Sequence, residues 1–439
     1  MDVLRDGIEA DREEFRVPGV SWAVIENGEI AHTGTAGVLE AGKPAPVEAG
    51  TLFQAASISK PVTAFAMLRL VDRGLLELDE DVNTRLTSWQ VPPTRAWQPV
   101  VTLRQLASHS AGMTTPGFPG YHPDASLPTT LEILTGAPPS NTAGPRVERI
   151  PGAQFAYSGG GTTVIQQLLE DVTGTPFPDL MRELVLEPLG MSDSAFAQPL
   201  PPGLAGRSAI GHDEAGESVE GGWHVYPELA AAGLWTTPTD LARFGIGVQE
   251  ASAGARGALV SPELARQMLT PVIQMDSPIA GLTHVGIGPF LNASGQLFGH
   301  SGGNLGFRCN LLVDRATGYG AAVMTNSDSG YRLAMRAFAT AASSYGWEDY
   351  QPAAELSDEP AAEVLAELAG DYRLGDRLRF AVKVWGSGLQ VTFEGQPPLR
   401  FFALSATTFM ASSTQAELEL RDGRLVFQQT GFELDCVRE

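Results

Sequence analysis

Apolar residues recur along this chain at two characteristic spacings, and the spacing divides it into elements. Residues 4–15 mix charged and apolar positions in the manner of a surface helix. Val20–Ile25 and Glu29–Gly37 read as two strands around Asn27-Gly28, a dipeptide that favours a tight hairpin turn. From Val62 to Val71 only Thr63 and Arg69 are polar, so this helix is apolar on nearly every side and belongs in a core. Pro61 suits a first helical turn, and Gly74 stands where a helix stops. Further on, Thr102 is placed to cap a short helix over 103–109. Thr114 to Pro145 is crowded with Pro, Gly, Ser and Thr, with one helical candidate at Leu131–Leu134. Loops of that length commonly carry function, and this one is placed to line a substrate entrance. The spacing then predicts helices over Thr162–Val172 and about Asp179–Leu186, with helix starts at Thr237-Pro238 and Ser261-Pro262. Alternation returns from Val285, with strands near Phe298, over Phe307–Val313 and over Tyr319–Met324, before a helix at Tyr331–Tyr345. The layout implies an α+β fold: an antiparallel sheet covered by helices, with an all-helical lobe inserted.

The texture changes after residue 350. Residues 351–360 are rich in Pro, Ala, Ser and acids and read as a linker. Beyond it, short alternating segments at 379–384, 389–393, 400–404, 417–420 and 424–427 are separated by turn residues. They predict a small all-β barrel over 361–439, read as a packing domain, beside a larger domain over 1–350.

Composition narrows the function classes. At 439 residues and 43% hydrophobic content the chain supports a large core. With 51 acidic against 29 basic residues, a net charge of −22 argues against nucleic acid or an anionic membrane as partner. Cys309 and Cys436 have no metal-ligand spacing, so neither a zinc site nor a disulfide framework is expected. The charged start and the absence of a long apolar run point to a cytoplasmic protein, with the oligomeric state open.

The chemistry concentrates at Ser57-Ile58-Ser59-Lys60, which opens the apolar helix. If the segment is already helical, Lys60 leaves the same face as Ser57 and reaches its hydroxyl, the arrangement of a nucleophile and its base. Only three of the 29 basic residues are lysine (Lys43, Lys60 and Lys383). Arginine stays protonated in proteins, whereas a buried lysine loses its proton readily, so a rare lysine here suggests base chemistry. A rival is Gly299-His300-Ser301-Gly302-Gly303, which matches the Gly-x-Ser-x-Gly elbow with Ser301 as nucleophile. The elbow needs a following helix, where a strand is expected, and a later histidine, whereas His300 is the last of seven. Tyr157 precedes Ser158 and three glycines, and a glycine run brings backbone close to something. Read alone, it is an ordinary buried tyrosine.

Ser57-Ile58-Ser59-Lys60, Tyr157-Ser158-Gly159 and His300-Ser301-Gly302 together resemble the three motifs of serine β-lactamases and penicillin-binding proteins. The chain looks most like the class C β-lactamase-related serine hydrolases, which include D-amino-acid peptidases, family VIII esterases and peptide cyclases. Ser108-His109-Ser110-Ala111-Gly112 and the segment from Ala232 to Leu241 carry the likeness further, over roughly residues 5 to 345. Some relatives also carry a lipocalin-like C-terminal barrel. The resemblance implies a metal-free and cofactor-free mechanism on a small ester or peptide substrate. In it Ser57 forms an acyl-enzyme, Lys60 takes its proton, Tyr157 shuttles a proton to the leaving group and His300 completes the catalytic set. Ser57 and Gly303 would supply oxyanion N–H groups, each worth on the order of 3 kcal/mol, with Ser301, Gly159 and Asn304 also facing substrate. Gly159 replaces the family's usual asparagine and His300 its usual lysine. Both departures favour neutral esters or peptide-like amides over β-lactams. The alternatives are a β-lactamase, an acyl transferase or peptide cyclase using the same site, and a catalytically silent protein that binds peptides or cell-wall fragments.

Overall fold

The computed structural model describes residues 2–347 except 280, and residues 360–439 except 376–377, 386–387, 397, 404, 412–415 and 430–431. The chain divides into two compact units, Met1–Tyr350 and Gln351–Glu439. The linker expected at 351–360 lies, but for Pro360, outside the described residues.

In the first unit, eight strands form one antiparallel sheet. Its order is Glu29–Gly37, Gly19–Glu26, Gly320–Thr325, Phe307–Asp314, Leu297–Asn304, Phe290–Leu291, Leu282–Val285 and Ile273–Ile279. The first two strands meet at the Asn27-Gly28 turn, where both residues take positive φ, as this turn requires. The last two continue the sheet beyond the alternation expected from Val285. Pro278 interrupts the alternation, and an edge strand tolerates it. Strand alternation sends Ala23, Ile25, Leu311, Val313, Ala322 and Met324 into the main core. The Pro238–Ala253 helix packs there, with Gly245 against Val313 and Ile25. That helix begins as expected, with Thr237 capping the Asp240 N–H. Helices Asp2–Glu14 and Gly330–Tyr345 pack together, Arg336 pairing with Asp11 at 2.9 Å.

The helical lobe centres on Ser59–Asp72, in which eleven of the fourteen residues are buried. The helix expected at 179–186 is Phe177–Met181 followed by a π-turn over Arg182–Leu186, where the Arg69 guanidinium takes the Leu184 carbonyl. A small sheet of Phe53–Gln54, Leu234–Thr236 and Ala195–Phe196 leads directly into the turn that carries Ser57. No helix among the described residues is long and apolar enough to cross a membrane.

In the second unit eight antiparallel strands close into a barrel, with Gly370–Leu374 pairing Phe432–Arg438 to complete the ring. Phe380, Phe393, Phe401, Phe409 and Phe427 fill its interior, joined by Leu365 and Leu368 of the Ala362–Leu368 helix. Together these side chains form the barrel's own hydrophobic core.

Candidate active site

Ser57 lies in a single 3-10 turn, Ala56–Ile58, and the α-helix begins at Ser59. Ala56 just before it takes φ +49, a left-handed conformation that costs a β-carbon-bearing residue about 1–2 kcal/mol. Strain of this kind is held by its surroundings, and Ala56 is fully buried. Across Gln54 to Lys60 every side chain is buried except that of Ser57, which is partly open. The turn therefore lifts one hydroxyl out of an otherwise sealed segment.

Lys60 is 5% exposed, and its Nζ donates to Ser57 Oγ and to the Ala231 carbonyl, each at 2.9 Å. The Ala231 segment is tied to the same helix by Thr63, which donates to the Ala230 carbonyl at 3.2 Å, and by the Leu234 N–H, which donates to Ser59 Oγ at 3.1 Å. Burial pushes the Lys60 amine down to about 7, so near neutral pH much of it is uncharged and able to accept a proton. Tyr157 places its ring 5.0 Å from Lys60 Nζ. Burial raises the phenol above its ordinary range, and a hydrogen bond with the Ser57 side chain acts in the opposite direction. The phenol thus stays protonated and can pass that proton on.

His300 lies on Leu297–Asn304 with its ring 6.4 Å from that of Tyr157 and stacked on Phe290 at 4.0 Å. Its Nδ1 donates to the Ser301 carbonyl, so the free nitrogen is Nε2, which is buried without a partner. Burial, and then the nearby Lys60, push the imidazole down to about 3, leaving it neutral. The strand runs straight on to another strand, so the elbow reading of Ser301 has no structural basis. Its pairing with Phe290–Leu291 ends at Gly299, so residues 300–304 run on past that ladder. Gly302 passes so near the nucleophile turn that a β-carbon would sit 2.1 Å from the Ala55 carbonyl oxygen. Gly303 is exposed in this stretch and Ser301 is half-buried.

Two residues expected to face substrate do other work. The Gly159 N–H donates to the Pro116 carbonyl at 3.1 Å, and a β-carbon there would fall 2.9 Å from Phe118 Cε2. Gly159 is therefore the seat on which the Thr114–Phe118 stretch of the long loop docks. Asn304 is 5% exposed, and its amide nitrogen donates to Gln54 Oε1 at 2.6 Å and to the Ala232 carbonyl at 3.2 Å. It braces the strand against the nucleophile segment. Sequence reasoning assigned no role to His109 beside Tyr157, or to Glu228, whose buried carboxyl has both oxygens unpartnered. The signal for His109 was present in the Ser108–Gly112 segment. Glu228 had none, because its burial comes from contacts distant in sequence.

A family model described as Beta-lactamase matches residues 4–344. The chain belongs to that family. The beta-lactamase-family chain is 30% identical over 202 residues to Esterase EstB of Burkholderia gladioli, covering 43% of this chain and 49% of the relative. It is 28% identical over 251 residues to Penicillin-binding protein 4 of Amycolatopsis lactamdurans, covering 55% and 61%. The chain thus spans about half to three-fifths of the length of these curated relatives. Among solved structures, the octameric penicillin-binding protein homologue from Pyrococcus abyssi matches with a TM-score of 0.68 and 25% identity, over 99% of this chain and 100% of that one. The D-amino acid amidase from Ochrobactrum anthropi SV3 shares the fold with a TM-score of 0.63 and 23% identity, over 78% and 99%. An esterase and a penicillin-binding protein thus stand among the sequence relatives, and a D-amino acid amidase shares the fold.

Proposed function

We propose that this family member hydrolyses a neutral ester or peptide-like amide through an acyl-enzyme on Ser57. The observation that carries the reading is the 2.9 Å contact between Ser57 Oγ and a buried Lys60 amine pushed down to about 7. Neutral Lys60 takes the hydroxyl proton as Ser57 Oγ bonds to the substrate carbonyl carbon. The N–H groups of Ser57 and Gly303 hold the resulting oxyanion. Tyr157 passes a proton to the leaving oxygen or nitrogen as the bond to carbon breaks. The Lys60 ammonium returns a proton to the Tyr157 oxygen; water then adds to the acyl carbon, the bond from that carbon to Ser57 Oγ breaks as a proton of the water passes to Oγ, and the free acid leaves. His300, neutral and with Nε2 free, offers an acceptor rather than a charge, which supports uncharged substrates over carboxylate-bearing lactams. The hydrophobic core of the C-terminal barrel supports a packing role for that unit.

A fluorophosphonate probe tests the nucleophile. Labelling of the wild type that disappears in Ser57→Ala is the expected result, and equal labelling of both proteins would refute it. Parallel assays with p-nitrophenyl esters, nitrocefin and D-aminoacyl anilides test the substrate class, with turnover expected on the first and last. Rapid nitrocefin turnover with inert esters would overturn the preference.

A further inference from the structure

We propose that His109 is the positioning residue that fixes Tyr157 against Ser57 and Lys60, a proposal that rests on the reading of those three residues given above. Tyr157 belongs to no helix or strand, because residues 153–158 are irregular and the next helix starts at Gly159. Its place must therefore come from specific contacts, and His109 supplies them on both sides. The His109 carbonyl accepts the Ala156 N–H at 2.8 Å, and His109 Nδ1 accepts the Ser158 N–H at 3.2 Å. The N–H groups of the two residues flanking Tyr157 are thus held by one residue. The same imidazole lies against the phenol ring, with centroids 4.2 Å apart.

His109 reaches this position at a conformational cost. It takes φ +55, in the left-handed region that a β-carbon disfavours, and it is 2% exposed. Its own N–H donates to the Leu106 carbonyl at 3.3 Å, and the flanking Ser108 and Ser110 hydroxyls are joined at 2.9 Å. Strain maintained at such a point marks a functional constraint more often than a packing accident.

Accepting at Nδ1 fixes the tautomer, because a neutral ring with a lone pair there carries its proton on Nε2. A proton on Nδ1 would face the Ser158 N–H and break the clamp. The ring is held neutral mainly by burial, then by Lys60 and His300 nearby, which push it well below its ordinary range. His109 itself transfers no proton. Its contribution is to place the phenol that does.

This role has a signature that a merely structural residue lacks. If Tyr157 protonates the leaving group, misplacing it harms poor leaving groups more than good ones. In His109→Gln the side-chain acceptor no longer lies where Nδ1 was. The Oδ1 of His109→Asn does lie there, and Asn tolerates the left-handed backbone. A series of aryl acetates with increasingly basic leaving phenols is the test. His109→Gln should lose about a hundredfold in kcat on the poorest leaving group, the scale of a 1 Å misplacement. It should lose far less on p-nitrophenyl acetate, with KM little changed, and His109→Asn should restore the wild-type slope. Equal losses across the series in folded His109→Gln, or no rescue by Asn, would overturn the role. An absent fluorophosphonate label on wild-type Ser57 would instead refute the underlying nucleophile. Nitrogen-15 NMR of the imidazole judges the clamp in either case: a neutral Nε2–H ring from pH 5 to 9 supports it, and a ring titrating near 6.5, the ordinary value, sinks it.

Discussion

The reactivity assigned to Ser57 depends on how much of Lys60 is uncharged, and the structure gives that quantity a scale. Burial lowers the amine from an ordinary 10.5 to about 7. At pH 7 about half of the population is then neutral, against roughly three in ten thousand for an exposed lysine. The gain of about a thousandfold corresponds to about 4 kcal/mol at 1.36 kcal/mol per tenfold. The assay is the rate of inactivation by a fluorophosphonate, followed from pH 5 to 10 in the wild type and in Lys60→Arg. In the wild type the rate should rise tenfold per pH unit up to about 7 and then level off. Lys60→Arg should lose about a thousandfold or more, because arginine keeps its proton throughout this range. A wild-type rate that climbs steadily to pH 10 would show a base of ordinary basicity, and a flat profile would show none. Substantial inactivation of Lys60→Arg would remove Lys60 from the chemistry.

The same burial has consequences for stability. The folded pKa of Lys60 lies below its unfolded value, so the penalty for burying its charge is complete below about 7 and vanishes above 10.5. Lys60→Met should therefore be more stable than wild type in urea at pH 6, with an advantage that shrinks towards pH 10; a constant difference would contradict the burial. Glu228 behaves oppositely, since burial raises its carboxyl from 4.5 to about 8. Its protonated folded form gives stability that is whole below 4.5 and is lost as pH rises through about 8. Glu228→Gln should gain on wild type by a few kcal/mol across that window, and parallel stability curves for the two proteins would refute the shift. His300→Ala should lower activity without moving the limb near pH 7, because a ring pushed down to about 3 is already neutral there; a displaced limb would mean that His300 titrates in the working range. Gly159→Ala should destabilise by about 1–3 kcal/mol through overpacking against Phe118, and Phe118→Ala in the same chain should recover most of it. Additive losses would show that the loop does not dock there.

Much of this was legible in local pattern. The helix that follows Ser57 showed itself through ten nearly unbroken apolar positions, because a helix buried on all sides has no polar face to conceal it. Thr102 showed itself as a cap, and the capping box with Gln105 is present. The barrel was harder to read. Gly370–Leu374, Thr408–Ala411 and Phe432–Arg438 are short or carry charges at outward positions, and their strand character comes from pairing with distant partners. At the site, the Ser57–Lys60 spacing was local and therefore readable. The uses of Gly159 and Asn304 were not, since Phe118 and Gln54 reach them only through folding, Gln54 from 250 residues away in sequence.

What unites the site is a single cause acting on several groups. Burial lowers Lys60, lowers His109 and His300 further, and raises Tyr157, and in every case it favours the uncharged form. Lys60, His109 and His300 are buried around Tyr157, at 5.0, 4.2 and 6.4 Å from its ring, and like charges so placed would each raise the cost of the other. Burial therefore penalises any new charge there that forms without an opposite one beside it. In the proposed mechanism the Lys60 ammonium formed on deprotonating Ser57 is compensated by the oxyanion formed in the same step, so attack would create a neighbouring pair rather than an isolated ion. A substrate entering with its own carboxylate would bring an anion before that ammonium exists and would find neutral imidazoles beside it. On the proposed function, the arrangement favours uncharged acyl donors by the same physics that would make Ser57 reactive.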